Sequence, residues 1–289
     1  MLMRTVAALA LTLIACGPDS RDDGTGGGGG SGSGSGSGSN MEGCSDEAKF
    51  VYTVDSNNTF ARFDPMTKTF TNLGTLNCPA GSQDAPFSMS VDRDTVAWVL
   101  YTDGKIYRVD TLGGLACTAT NWTTTGSLFE FGMGFSSNTA GSTDDTLFIA
   151  GGADPLFATT SQLATLNTGT MQSQNVGTVT GWPELTGTGN AELWGWFPDE
   201  STPRVEQINK TNGSAIKTYP LTQLAGTPSA WAFAFWGGDF FIFLMKDLES
   251  STTVYQIDGG TGTIKGTTPT SGRTIVGAGV STCAPTIIL

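Results

Sequence analysis

Histidine is missing from this chain: none of its 289 residues is one. That removes the commonest general base and the commonest side-chain metal ligand, and with them Ser-His-Asp, Cys-His and His-zinc chemistry. Basic residues are scarce as well, 14 Lys and Arg against 26 Asp and Glu, for a formal net charge of -12. A chain this acidic lacks the electrostatic footprint of a nucleic-acid binder and the polybasic patch that docks on anionic lipid. Long apolar runs are lacking too: the one from Val6 to Ala15 is too short to span a bilayer as a helix. No loop gathers the five or more oxygens that calcium needs, and neither a metal site nor a cofactor site is expected.

What is present is glycine, 40 residues of it, much of it in one place. Arg4 followed by the apolar run reads as a signal peptide over residues 1–15. Residues 16–43 pass through Gly26 to Gly30 and an alternating Ser-Gly tract. Such a composition cannot bury enough apolar surface to offset chain entropy, so the segment reads as a disordered tether. As a Gly-rich coil of about 25 residues it has a root-mean-square span of roughly 25 to 30 Å. The run ends Leu13-Ile14-Ala15-Cys16, which resembles the lipobox of bacterial lipoproteins. The resemblance implies that Cys16 becomes a lipid-modified N-terminus anchoring the chain to membrane, each buried methylene adding roughly 0.8 kcal/mol. Gly17 at the next position implies outer-membrane sorting within a bacterial cell envelope.

Residues 44–289 repeat. A small-x-small triplet recurs as Ser88-Met89-Ser90, Gly132-Met133-Gly134, Thr186-Gly187-Thr188, Ala232-Phe233-Ala234 and Gly277-Ala278-Gly279, at steps of 44, 54, 46 and 45 residues. A period of that size in an all-β chain indicates a propeller with four strands per blade. The triplets mark innermost strands, where blades converge on the axis and alternate side chains must be small. Next comes the most apolar strand of each unit, then a strand ending in Asp64, Asp110, Asn167, Asn209 or Asp258. These side chains bond their own backbone two residues on, and glycine supplies positive φ, so they read as turn-makers.

Three strands follow each of the first four triplets, but nothing follows the fifth. The last strand must therefore complete a first blade begun near Phe50, giving five blades in an all-β domain. Cys283 then falls near Cys44, and a disulfide between them is expected to lock the seam. Cys78 and Cys117 remain for a second bridge, although four cysteines allow three pairings. The even set fits export to an oxidising compartment.

The apolar-x-x-apolar-Asp-x-x-Thr-Gly pattern is similar, over residues 50 to 283, to the repeats of secreted bacterial propellers, including the quinoprotein-like families. It departs from the quinone-enzyme repeat, for no Trp closes the stretch Gly259 to Gly266. The resemblance thus implies a fold and stops short of an activity.

Blade-to-blade connections and second-to-third-strand turns share one face, and the longer, more varied segments fall there. Trp122, Trp182 and Trp231 sit at blade junctions, either as aromatic platforms for a ligand or as wedges in the core. Asp154, Asp199, Glu200, Asp247 and Glu249 lie on the same face and complete a candidate ligand surface. The inner strands carry few carboxylates, Glu130, Glu184 and Asp92 standing at their margins, so no catalytic residues are assigned. The expected function is a non-catalytic binding or scaffolding module of the envelope, its partners the membrane through the N-terminal lipid and an envelope protein or glycan. Two other readings stay open: a lectin-like module, and an enzyme of the glycosidase or quinoprotein kind. Two carboxylates near the axis at hydrolase spacing would favour the last.

Overall fold

The computed structural model describes residues 44–152 and 159–288. The signal peptide, Cys16, the tether and Asp154 lie outside the described residues.

In chain order the strands are β1 Val51–Asp55, β2 Thr59–Asp64, β3 Thr69–Thr75, β4 Pro86–Val91, β5 Val96–Tyr101, β6 Ile106–Asp110 and β7 Ala116–Ala119. Then come β8 Glu130–Ser137, β9 Asp145–Gly152, β10 Thr160–Asn167, β11 Gln172–Thr180, β12 Glu184–Gly187, β13 Leu193–Phe197, β14 Arg204–Ile208 and β15 Ala215–Pro220. The last five are β16 Pro228–Trp236, β17 Asp239–Lys246, β18 Thr253–Asp258, β19 Ile264–Pro269 and β20 Ile275–Val280. They form five four-stranded antiparallel sheets, ordered β20-β1-β2-β3, β4-β5-β6-β7, β8-β9-β10-β11, β12-β13-β14-β15 and β16-β17-β18-β19. The protein is a five-bladed β-propeller.

The innermost strands touch in a closed ring, β20 on β4, β4 on β8, β8 on β12, β12 on β16 and β16 on β20. The triplets explain how they come so close. A Cβ built on Gly187 would lie 2.2 Å from the Phe135 carbonyl oxygen, and one on Gly132 would lie 2.3 Å from that of Pro183. Size is only half of the reason. The inner strands are sheet edges whose N–H groups need acceptors, and the small polar residues supply them. Phe135 N–H donates to Ser90 Oγ at 3.1 Å and Phe235 N–H to Thr186 Oγ1 at 3.2 Å.

Five apolar clusters fill the five junctions between blades, Phe60, Met89 and Val99 between the first and second and Phe148, Leu163 and Leu185 between the third and fourth being examples. The second strands, covered on both faces, are the most buried, which is why β1, β5 and β13 lack the alternation of a half-exposed sheet.

The third-to-fourth-strand turns are built alike. The Asp or Asn side chain accepts N–H groups two or three residues on, as Asp258 does from Gly260 at 3.0 Å and Thr261 at 2.8 Å. Its carbonyl accepts from a left-handed residue four or five positions later: Lys68, Leu115, Met171, Gly213 or Gly262. Glycine is thus not the general source of positive φ. It is kept where a neighbour crowds the position, a Cβ on Gly262 meeting the Tyr219 ring at 2.4 Å and one on Gly213 meeting the Thr178 carbonyl oxygen at 2.6 Å.

The seam closes in the first blade, where Thr53 pairs with Ala278 and Tyr52 with Gly279. Cys44 is bonded to Cys283 across a separation of 239 residues, and Cys78 to Cys117 across 39. Arg93, in the β4–β5 turn, donates to Thr282 Oγ1 at 3.0 Å and to Cys44 Sγ at 3.2 Å. Thr282 in turn donates to Asp145 at 2.6 Å, so the seam is tied to the second and third blades as well.

Candidate functional site

One face carries the blade-to-blade connections and the turns between second and third strands. On it, between the third, fourth and fifth blades, opens a cleft of about 850 Å³. Its walls come from the end of β11, the β13–β14 turn with the start of β14, and the segment entering β16.

Four residues of the expected ligand surface meet there: Trp182, Asp199, Glu200 and Trp231. Trp182 is 8% exposed and backs the cleft, whereas Trp231 is half-buried and lines it. Trp122 does not join them. It is 4% exposed, edge-on to Phe131 at 5.7 Å in the core between the second and third blades, which corrects its placement on the ligand surface. Asp247 and Glu249 stand beside the cleft without lining it. The Asp247 N–H donates to the Thr227 carbonyl at 3.0 Å, bracing that wall, and Glu249 accepts from the Lys246 N–H at 2.7 Å within its own turn.

Among the further lining residues, Arg204, Glu206 and Thr227 organise the cleft, and sequence reasoning assigned none of them a place on the ligand surface. The Arg204 Nε donates to Glu206 at 2.7 Å, one terminal nitrogen to Asp199, and the other to the Thr180 carbonyl at 2.7 Å. Its guanidinium lies 4.3 Å over the Phe197 ring. The group is fixed on four sides, and it fixes both carboxylates in return. Gly181, at φ +89, lets β11 turn close by, where a Cβ would meet the Phe197 ring at 3.1 Å and an Arg204 nitrogen at 3.3 Å. Glu200 accepts from the Thr227 hydroxyl at 2.7 Å, joining the fourth blade to the fifth. The one sequence signal for this cluster is the Arg-x-Glu spacing on β14, which places Arg204 and Glu206 on one side of a strand.

At the axis stands Glu184, the first residue of β12 and 2% exposed. Its Oε1 accepts from the Ser88 hydroxyl at 2.5 Å and the Met133 N–H at 3.4 Å, linking the fourth blade to the second and third. Burial pushes its carboxyl well above the ordinary glutamate value, against the opposing pull of the two hydrogen bonds. Asp92, at the foot of β4, is also raised by burial, although it accepts from the Trp98 indole at 2.9 Å. Among the described residues no group of three or more Cys, Asp or Glu is placed to hold a metal ion.

No family model matches the chain, and no curated protein matches it in sequence. Solved structures do match it in shape. A chain of a nidogen/laminin complex is similar over 80% of this chain and 97% of its own, at 13% identity and a TM-score of 0.50. A protein of unknown function from Bacteroides caccae is similar over the same shares, at 13% identity and a TM-score of 0.47. A luciferin-regenerating enzyme is similar over 81% of this chain and 76% of its own, at 11% identity and a TM-score of 0.44. The likeness is one of fold. A β-propeller offers a rigid ring on which loops can be built for binding or scaffolding, and the ring itself names no ligand.

Proposed function

We propose that this protein is a non-catalytic binding module of the bacterial cell envelope, held to the membrane by lipid on Cys16, and that it takes its ligand in the cleft between the third, fourth and fifth blades. The observation that supports this most is the meeting of Trp182, Trp231, Asp199 and Glu200, from the β11–β12 connection, the start of β16 and the β13–β14 turn, in one cleft of about 850 Å³. That size and mixture suit a ligand site, with aromatic surface for contact and a few fixed polar groups for orientation. The carboxylate best placed for axial chemistry, Glu184, is engaged by Ser88 and Met133 in holding blades together, which favours binding over hydrolysis.

Crosslinking tests this without a named ligand. A photo-crosslinking amino acid at Thr202, exposed on the cleft rim, should trap a partner in envelope material, while one at Lys217, exposed on β15 outside the cleft, should not. Equal yields from both positions contradict the site. Hydrolysis of nitrophenyl glycosides by the purified chain, abolished by Asp199→Asn or Glu184→Gln, contradicts the non-catalytic role. The anchor is tested separately: Cys16→Ala should move the chain from the membrane pellet to the soluble fraction, and retention in the pellet overturns it.

A further inference from the structure

We infer that the ligand of this cleft is a neutral oligosaccharide, a sugar ring lying against Trp231 while its hydroxyls bond the fixed row of Asp199, Arg204 and Glu206 and the neighbouring Glu200. The inference rests on the cleft being the binding site.

Its first support is the match of donors to acceptors. A guanidinium has five N–H groups, and Arg204 uses three, on Glu206, Asp199 and the Thr180 carbonyl, leaving two for a ligand. Asp199 and Glu206 each meet Arg204 through one oxygen, and Glu200 meets Thr227 through one, so each carboxylate keeps a second oxygen as an acceptor. The cleft thus sets donors between acceptors at fixed positions. A sugar hydroxyl donates and accepts at once and uses both kinds, whereas an ammonium or guanidinium ligand only donates and leaves the Arg204 N–H groups unmet.

Charge narrows the class. Three carboxylates against one guanidinium leave the cleft a formal charge of −2 in a chain of −12, which disfavours phosphorylated, sulfated or uronic sugars. Trp231 supplies a flat apolar surface for the C–H face of a pyranose, with its far side packed on the core between the fourth and fifth blades. The volume exceeds the needs of a single ring, so a short oligosaccharide is the fitting size.

Titration calorimetry on the full chain tests this, with neutral tetrasaccharides of glucose, mannose and N-acetylglucosamine as probes and tetralysine as the cationic comparison. At least one tetrasaccharide should bind saturably and with little dependence on salt. Trp231→Ala should weaken it about tenfold or more, and Glu200→Gln several-fold. Glu200 is exposed, so the second variant still decides if the first fails to fold. Tetralysine binding that both variants weaken, with the sugars silent, overturns the saccharide and leaves the cleft as the site. Silence from every probe also overturns the saccharide, and the crosslink at Thr202 then judges the cleft alone. Sugar binding that neither variant alters overturns both.

Discussion

Burying the Glu184 carboxyl among the inner strands removes the water that would stabilise its charge, so its proton stays on well above the pH at which a free glutamate releases it. The direction of the linkage follows. Above the unfolded value, roughly 4.3, the unfolded chain has released this proton while the folded chain still holds it. The group's contribution is therefore fully present below that pH and is lost as pH rises toward the raised folded value. Glu184→Gln keeps an acceptor for Ser88 and Met133 without the titrating proton. Urea midpoints at pH 5 and pH 8 should fall less for the variant than for the wild type. An equal fall in both shows that Glu184 titrates normally. A neighbouring inner-strand position, Gly187, has a different limit: Gly187→Ala forces a Cβ against the Phe135 carbonyl. It should lower stability by about 1–3 kcal/mol in the same assay, and no change would contradict the close contact of the strands.

At the scale of elements, the five third-to-fourth-strand turns form an internal experiment, because the left-handed position that closes each is filled by Lys68, Leu115 and Met171 in three of them and by Gly213 and Gly262 in the others. Gly262→Ala should cost about 1–3 kcal/mol, since the methyl meets the Tyr219 ring as well as an unfavourable φ. Lys68→Gly should be neutral or slightly stabilising, since it relieves a non-glycine residue at φ 59. Similar losses from both, by thermal or urea melts, would contradict the crowding argument. These turns were legible in the sequence through Asp64, Asp110, Asn167, Asn209 and Asp258, because the bond each makes is local. The inner strands were legible through their small residues, because backbone contact leaves no alternative. The cleft was legible only in part. Asp199 and Glu200 were marked by lying on a varied loop and Trp182 and Trp231 by standing at blade junctions, but the pairing of Arg204 with the Thr180 carbonyl joins two blades and leaves no local trace. Trp122 and Trp231 look alike in the chain, both at blade junctions. What separates them is that Trp122 is covered by the core beside Phe131, while Trp231 reaches the open cleft.

For the whole molecule, the two disulfides are unequal partners in closure. Cys44–Cys283 spans 239 residues and Cys78–Cys117 spans 39. The chain-entropy relation then gives the longer bridge an advantage of about 1.5 kcal/mol. Replacing Cys44 and Cys283 by Ser should lower the urea midpoint more than replacing Cys78 and Cys117. The reverse order would show that the shorter bridge matters more for holding the ring. Closure also has a consequence for binding, because three blades share the walls of the cleft and a ring that opened at the first blade would let them splay. The most direct measurement of ring closure is urea unfolding of a chain ended after Thr274, which removes β20 and Cys283, followed by far-ultraviolet circular dichroism and tryptophan fluorescence. A ring that depends on its last strand predicts no cooperative transition by either probe in this chain. A cooperative transition near the wild-type midpoint would contradict it.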